Sequence, residues 1–393
     1  MADPSASLPD PVPGTRVRRR RWLIPPALAA VLVAAAAVVP QVASAQGSPH
    51  LPSISAQALV QKVLGSHVPY LSGTLQMKAD LGLPDLSAYT HGSGSQILSY
   101  LSGTHTASMW YGGPGQLRVA VPDGSEETDV IVDGTSAWVW QSGSYKATRL
   151  VAPSGQHMTP STAGAQAGAP PTPGEVAREL LAGISPSTRV FVTDTAYVAH
   201  HAVYELGLAP RAPQSLVADA LIAVDASNGV PLRVELLARN ASSPALSFGF
   251  MDVKFTRPAA SNFDFTPPPG AKVVTGHLGG AMAAPAKNAS SASGAPVSTV
   301  GKGWGTVLAV SPGALAGLAG QPGRSQSAGQ PAPSSTSSEL ATLLRSATPV
   351  SGPWGQGRLI QTALVDVLVT SGGPVLVGAV TPAALEAAVA TLH

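Results

Sequence analysis

Val224-Asp225-Ala226-Ser227-Asn228-Gly229-Val230-Pro231-Leu232-Arg233 decides how this chain reads. An apolar run enters an Asp-x-x-x-Gly turn and returns as Pro-Leu-Arg-Val-Glu. Asp, Asn and Gly are the residues a tight reversal demands, because they bond their own backbone or accept positive φ. The surrounding stretch, Thr188 to Ala271, repeats short apolar-polar runs between turns. It ends in Phe263-Asp264-Phe265-Thr266-Pro267-Pro268-Pro269-Gly270-Ala271. Period-two runs joined by turns are antiparallel sheet. The expected strands are Thr188–Thr193, His201–Leu208, Leu221–Val224, Pro231–Arg239 and Ser247–Phe255, closed by Phe263–Phe265.

Upstream the pattern continues. Leu71, Gly73, Leu75, Met77, Ala79 and Leu81 alternate with polar residues, which predicts a strand with one wet face. Four more strands are expected at Thr106–Tyr111, Gln116–Val121, Thr128–Val132 and Ala137–Gln141, and another at Tyr145–Leu150. Asp123-Gly124, Asp133-Gly134 and Ser142-Gly143 separate them, so they read as a meander. A helix is expected over Ser53–Ser66, with Ala56, Leu59, Val60 and Val63 on one face. Thr172-Pro173-Gly174-Glu175 reads as a capping box opening a second helix to about Gly183. Gly82 to Gly103 reads as a long loop.

Composition sets bounds. Gly and Pro make up about a fifth of the 393 residues, and only 11% are charged, so long linkers are expected. The absence of Cys removes disulfides, thiolate metal sites, a Cys nucleophile and a lipobox. Arg16 and Arg18 to Arg21 precede the uncharged run Trp22–Val39, and Ala43-Ser44-Ala45 follows. This is the layout of an export signal cleaved after Ala45. At 18 residues, with Pro25 and Pro26 inside it, the run also approaches the length of an uncleaved anchor, so both readings stand. Residues 1–45 hold five Arg and two Asp, which leaves 18 basic and 19 acidic side chains beyond them. The basicity belongs to the leader and is no sign of nucleic-acid binding.

The expected fold class is α+β: a curled antiparallel β-sheet, an incomplete β-barrel, packed on a few helices, with long disordered linkers. Residues 1–45 form a signal peptide or N-terminal membrane anchor, and 50–275 the half-barrel, with a mobile insertion at 152–171. Residues 276–337 are low-complexity linkers and 338–393 a C-terminal extension. That extension holds a helix at Ser338–Arg345, a strand at Gly357–Thr370, a hairpin at Gly372-Gly373, a strand at Val375–Val380 and a helix capped by Thr381-Pro382.

The element order, with the pair Val224–Arg233 and Phe263–Ala271, resembles the LolA-like and RseB-like superfamily over roughly residues 50–275. That superfamily comprises outer-membrane lipoprotein carriers and regulators of sigma-factor signalling. The resemblance implies an exported, non-enzymatic envelope protein holding a lipid, acyl chain or lipidated peptide in an apolar cavity. The alternative it implies is an RseB-like sensor bound to a membrane anti-sigma-type partner. Neither reading needs a cofactor, a metal or nucleic acid. The chain departs from the family in lacking a lipobox Cys, and no residue is matched to the cavity Arg of the carriers.

Strand faces supply the cavity-lining candidates: Leu75, Met77, Leu117, Val119, Val130, Val132, Trp138, Trp140, Tyr204, Leu206 and Leu208. Ordinary packed core explains such faces equally well. His200-His201 is the one His pair, and adjacent strand residues point to opposite faces, so a hairpin role outweighs a metal. No G-x-S-x-G elbow supports a hydrolase, Ser93 in Gly92-Ser93-Gly94 included. Glu126, Glu127 and Asp129 read as a solvated turn, and Gly301–Gly305 as a linker ending in an aromatic plug, Trp304.

Overall fold

A computed structural model of the chain describes residues 47–82, 102–134, 136–151, 169–184, 186–239, 241–277, 297–311 and 347–392. The expected leader, the 83–101 part of the long loop, most of the 152–171 insertion and the helix at Ser338–Arg345 lie outside the described residues. Among the described residues, no helix is long and apolar enough to cross a membrane. Residues from Ser48 onward belong to one compact unit.

The fold is α+β, a large curled sheet that does not close. Its first half holds β1 (Leu71–Asp80), β2 (Ser102–Gly113), β3 (Gln116–Asp123), β4 (Glu126–Asp133), β5 (Ser136–Gln141) and β6 (Lys146–Val151). The second half holds β7 (Thr188–Val198), β8 (His201–Pro210), β9 (Val217–Asp225), β10 (Pro231–Ala238) and β11 (Pro244–Lys254). Each half is a meander of neighbours in sequence. They meet at the centre, where β1 pairs antiparallel with β11.

The closing strand is β12 (Lys272–His277), laid parallel to β6 at the far edge. This corrects the expectation that Phe263–Phe265 closes the sheet. The chain leaves β11 at the centre, and Phe263 and Phe265 belong to the crossing that reaches the opposite edge. Phe263 is 4% exposed, and its ring lies 2.6 Å from where a Gly112 Cβ would stand, so only glycine fits there.

Two helices cover one face. Helix α1 (Ala56–Leu64) is capped by Ser55 Oγ, which accepts from Ala58 N at 3.2 Å. Helix α2 (Pro173–Ala182) carries the full capping box: Thr172 Oγ1 accepts from Glu175 N, and Glu175 Oε2 accepts from Thr172 N at 2.7 Å. Leu59 and Val63 of α1 and Ala177 and Leu181 of α2 bury against Leu206, Leu208, Ile222 and Val234. This helix-bearing side is called the inner face below.

The opening turn sets α1 against the sheet. Asp225 is 1% exposed, and its Oδ1 accepts from Ser227 N and Asn228 N. Gly229 sits at φ +77, and a Cβ there would lie 2.7 Å from the Lys62 carbonyl at the end of α1. The turn thus needs glycine twice, for conformation and for room.

A second sheet has six strands, in the order β13-β14-β18-β17-β16-β15. They are β13 (Val297–Val300), β14 (Val307–Val310), β15 (Thr348–Gly352), β16 (Gly355–Ile360), β17 (Asp366–Thr370) and β18 (Val375–Gly378). Helix α3 (Pro382–Thr391) buries Leu385, Ala388 and Val389 on it; Thr381 stands at its N-cap with Pro382 next, but the Thr381 side chain makes no capping bond. Two corrections follow. Residues 297–310, expected as linker, supply β13 and β14. The expected strand Gly357–Thr370 is two strands, broken where Thr362 Oγ1 accepts from Val365 N and Asp366 Oδ1 from Thr362 N.

Candidate functional site

Register fixes what lies on each face. Across β2, β3, β4 and β5, Met109 pairs with Val119, Val119 with Val130, and Val130 with Val139; Leu117 pairs with Val132, and Val132 with Ala137. Directly opposed residues share a face. Leu75 and Met77 oppose Phe250 and Phe248, and Phe248 opposes Val234 beneath the helices. Leu75, Met77, Leu117, Val119, Val130 and Val132 therefore all belong to the inner face.

The helices cover the second half of that face and leave a cavity over the first. Its volume is about 520 Å³. The floor is Met109, Leu117, Val119 and Phe250, each 6% exposed or less. Leu71 and Tyr111 extend it along the strands. Burial pushes the Tyr111 phenol above its ordinary pKa, so it stays neutral through physiological pH. Val230 and Pro231, from the Asp225–Arg233 turn, form one wall. Ala169 and Pro170 form another and are half-buried, although the insertion they end was expected to be mobile. Exposed lining residues mark the mouth: His67 and Pro171, together with Arg178 of α2. Arg178 Nη2 donates to Ser66 O at 3.2 Å and ties α2 to the segment after α1.

Two of the eleven expected lining residues, Leu117 and Val119, line this cavity. Leu75 and Val132 are buried in the core beside it, with Met77 packed against them. Val130 is buried at 2%. Tyr204, Leu206 and Leu208 are a correction. They share the inner face but are packed core, filled from above by Leu59, Val63, Ala177 and Leu181. Tyr204 satisfies its hydroxyl by donating to Pro52 O at 2.8 Å.

Trp138 and Trp140 are a second correction, because they lie on the opposite face. Ile131 pairs with Trp138 and Asp129 with Trp140, whereas the inner-face residue of β5 between them is Val139. Both rings pack against Phe265, at centroid distances of 5.5 and 6.2 Å, under the crossing segment. Tyr145 meets Trp140 edge-on at 5.3 Å and donates to Pro269 O. The Phe-x-Phe-x-Pro-Pro motif is thus a strap over an aromatic patch.

The polar candidates resolve into structural roles. Asp129 was expected in a solvated turn but is 3% exposed on the opposite face, where it accepts from Arg118 Nη2 at 2.8 Å. Arg118 in turn stacks over Trp110. Glu127 beside it has a raised pKa, first from burial and then from the Asp129 charge. His200, at φ 67, is a turn residue. His201 Nδ1 stands 2.9 Å from Asp225 Oδ2, its Nε2 faces Val253 O at 3.3 Å, and its ring meets Phe255 edge-on. These contacts set the imidazole against the Asp225 turn. Among the described residues, no three His, Asp or Glu gather closely enough to hold a metal ion. Trp304, in a short 3-10 turn, donates from Nε1 to Thr188 Oγ1 at 2.9 Å.

No family model and no curated protein matches the chain. Solved structures do resemble it. The crystal structure of MucB in complex with MucA(peri) is 15% identical at a TM-score of 0.40, covering 85% of this chain and 97% of that one. The MucA/MucB complex of Pseudomonas aeruginosa is 15% identical at a TM-score of 0.38, covering 84% and 94%. A LolA superfamily protein from Nitrosomonas europaea is 12% identical at 0.21, covering 54% of this chain and 99% of its own. The chain is similar to MucB and LolA superfamily structures in fold alone, and that likeness brings no ligand or partner with it.

Proposed function

We propose that this protein is an exported, non-enzymatic binder that takes up a lipid, acyl chain or lipidated peptide tail first in the inner-face cavity. One observation carries the reading: four buried apolar side chains, Met109, Leu117, Val119 and Phe250, floor an open cavity of about 520 Å³ instead of being covered by a helix. That volume falls within the roughly 300–1,000 Å³ of small-molecule pockets. Each methylene moved from water to such a floor gains about 0.8 kcal/mol, so ten gain about 8 kcal/mol before association costs are met. The export-type leader supports a place outside the cytoplasm.

The test is uptake by the purified full chain, read by native mass spectrometry and by extraction of co-purified lipid. Val119→Glu puts a charge on the floor, and Met109→Trp fills the cavity without one. Both are expected to lower acyl uptake at least tenfold, whereas Trp138→Glu, on the opposite face, leaves it unchanged. Absence of any bound or bindable acyl ligand in the parent overturns the reading.

A further inference from the structure

The mouth of the cavity is chemically unlike its floor. Three ionisable side chains line it: His67, Glu175 and Arg178. Glu175 is committed to the capping box, where its Oε2 accepts from Thr172 N at 2.7 Å. The partial positive charge of the α2 N-terminus balances it there. Arg178 sits three residues on, exposed, with no carboxylate within ion-pair distance among the described residues. Its one described hydrogen bond, to Ser66 O, occupies Nη2 and holds the guanidinium at the rim. The unbalanced charge at the opening is therefore positive, and it belongs to the side chain best shaped to grip a carboxylate or phosphate through two parallel bonds.

Resting on the acyl-binding reading above, we infer that the ligand is a single acyl chain ending in an anionic head, with the chain on the Met109–Val119 floor and the head on Arg178. The chemistry fits both a fatty-acid carboxylate and a monoacyl phosphate. The helices fill the inner face over the second half of the sheet, so the chain is left the roughly 520 Å³ over the first.

The experiment titrates the purified full chain with palmitate, a monoacyl lysophosphatidate and the neutral isostere hexadecanol, at low and at high salt. At low salt the anionic probes are expected to bind roughly twofold to fivefold more tightly than hexadecanol, the range for a charge pair at a wet rim. High salt narrows that gap. Arg178→Gln removes the gap, and Arg178→Lys keeps part of it. The tighter of the two anionic probes identifies the head. Equal affinity for all three probes overturns the anionic head and leaves the acyl reading standing. A gap that survives Arg178→Gln also overturns it. If no probe binds, and Met109→Trp behaves like the parent, the acyl reading itself falls.

Discussion

At the scale of single residues, Asp366 is a buried carboxyl that the described structure leaves half-satisfied. It is 1% exposed, its Oδ1 accepts from Thr362 N at 3.2 Å, and its Oδ2 has no protein partner. Burial raises its pKa to about 6, and the Thr362 bond opposes the rise without cancelling it. A carboxyl raised in the fold favours folding while it is protonated. That contribution is whole below about pH 4 and is lost as pH climbs through about 6. A shift of about two units corresponds to on the order of 2–3 kcal/mol. Unfolding free energy is therefore expected to fall between about pH 4 and pH 6 and to level off above. Asp366→Asn keeps the Oδ1 acceptor, should flatten that fall and should gain about 2 kcal/mol at pH 7.5. Denaturant titrations across pH check this, and a variant as pH-dependent as the parent refutes it.

At the scale of elements, the strongest local device is the capping box of α2, which also seats Glu175 and Arg178 at the cavity mouth. Thr172→Ala is expected to cost about 1 kcal/mol in thermal or denaturant unfolding. The same box was legible in four letters of sequence, as were β1 and most of both meanders, because turn chemistry and period two are local signals. Face assignment was not. Alternation says which residues share a face within one strand; only register says which face of the next strand they join. The Gly134 turn pairs Val132 with Ala137, which puts Trp138 and Trp140 on the side away from Val130 and Val132. Their aromatic bulk suits a cavity wall and a strap equally well, so composition could not break the tie. Met109 and Tyr111 were missed as lining for the same reason, since they join the floor only through pairing with Val119 and Leu117. Strand β12 was illegible on other grounds. It is six residues long, borders Gly-rich sequence, and pairs parallel with a strand more than a hundred residues earlier.

At the scale of the whole described unit, the two sheets are joined by backbone as well as side chains. Leu216 N donates to Ala379 O and Thr381 N to Gln214 O, around a bridge between Ser215 and Val380. Ala363 N donates to Leu81 O at the end of β1. Val217, Ala238, Ala245 and Leu364 bury together at this junction. Leu364 is 4% exposed, so Leu364→Asp places a charge in an apolar seam. Calorimetry is expected to show one transition for the parent and two for the variant, the smaller sheet melting first. A single transition in both would show that the seam does not couple them.

The central pairing of β1 with β11 has a consequence for how the chain is made. β1 ends at Asp80 and its partner begins at Pro244, so more than 160 residues must leave the ribosome before that edge is covered. Contacts this distant in sequence close slowly, because the loop entropy must be met first. Until then the nascent first meander presents Leu71–Asp80 as a bare hydrogen-bonding edge, a template for any other unpaired strand. Lys78 and Asp80 on that strand act as charged gatekeepers during the wait. The strap and β12 follow β11 in the chain, so the aromatic patch of the first meander also stays uncovered through that wait.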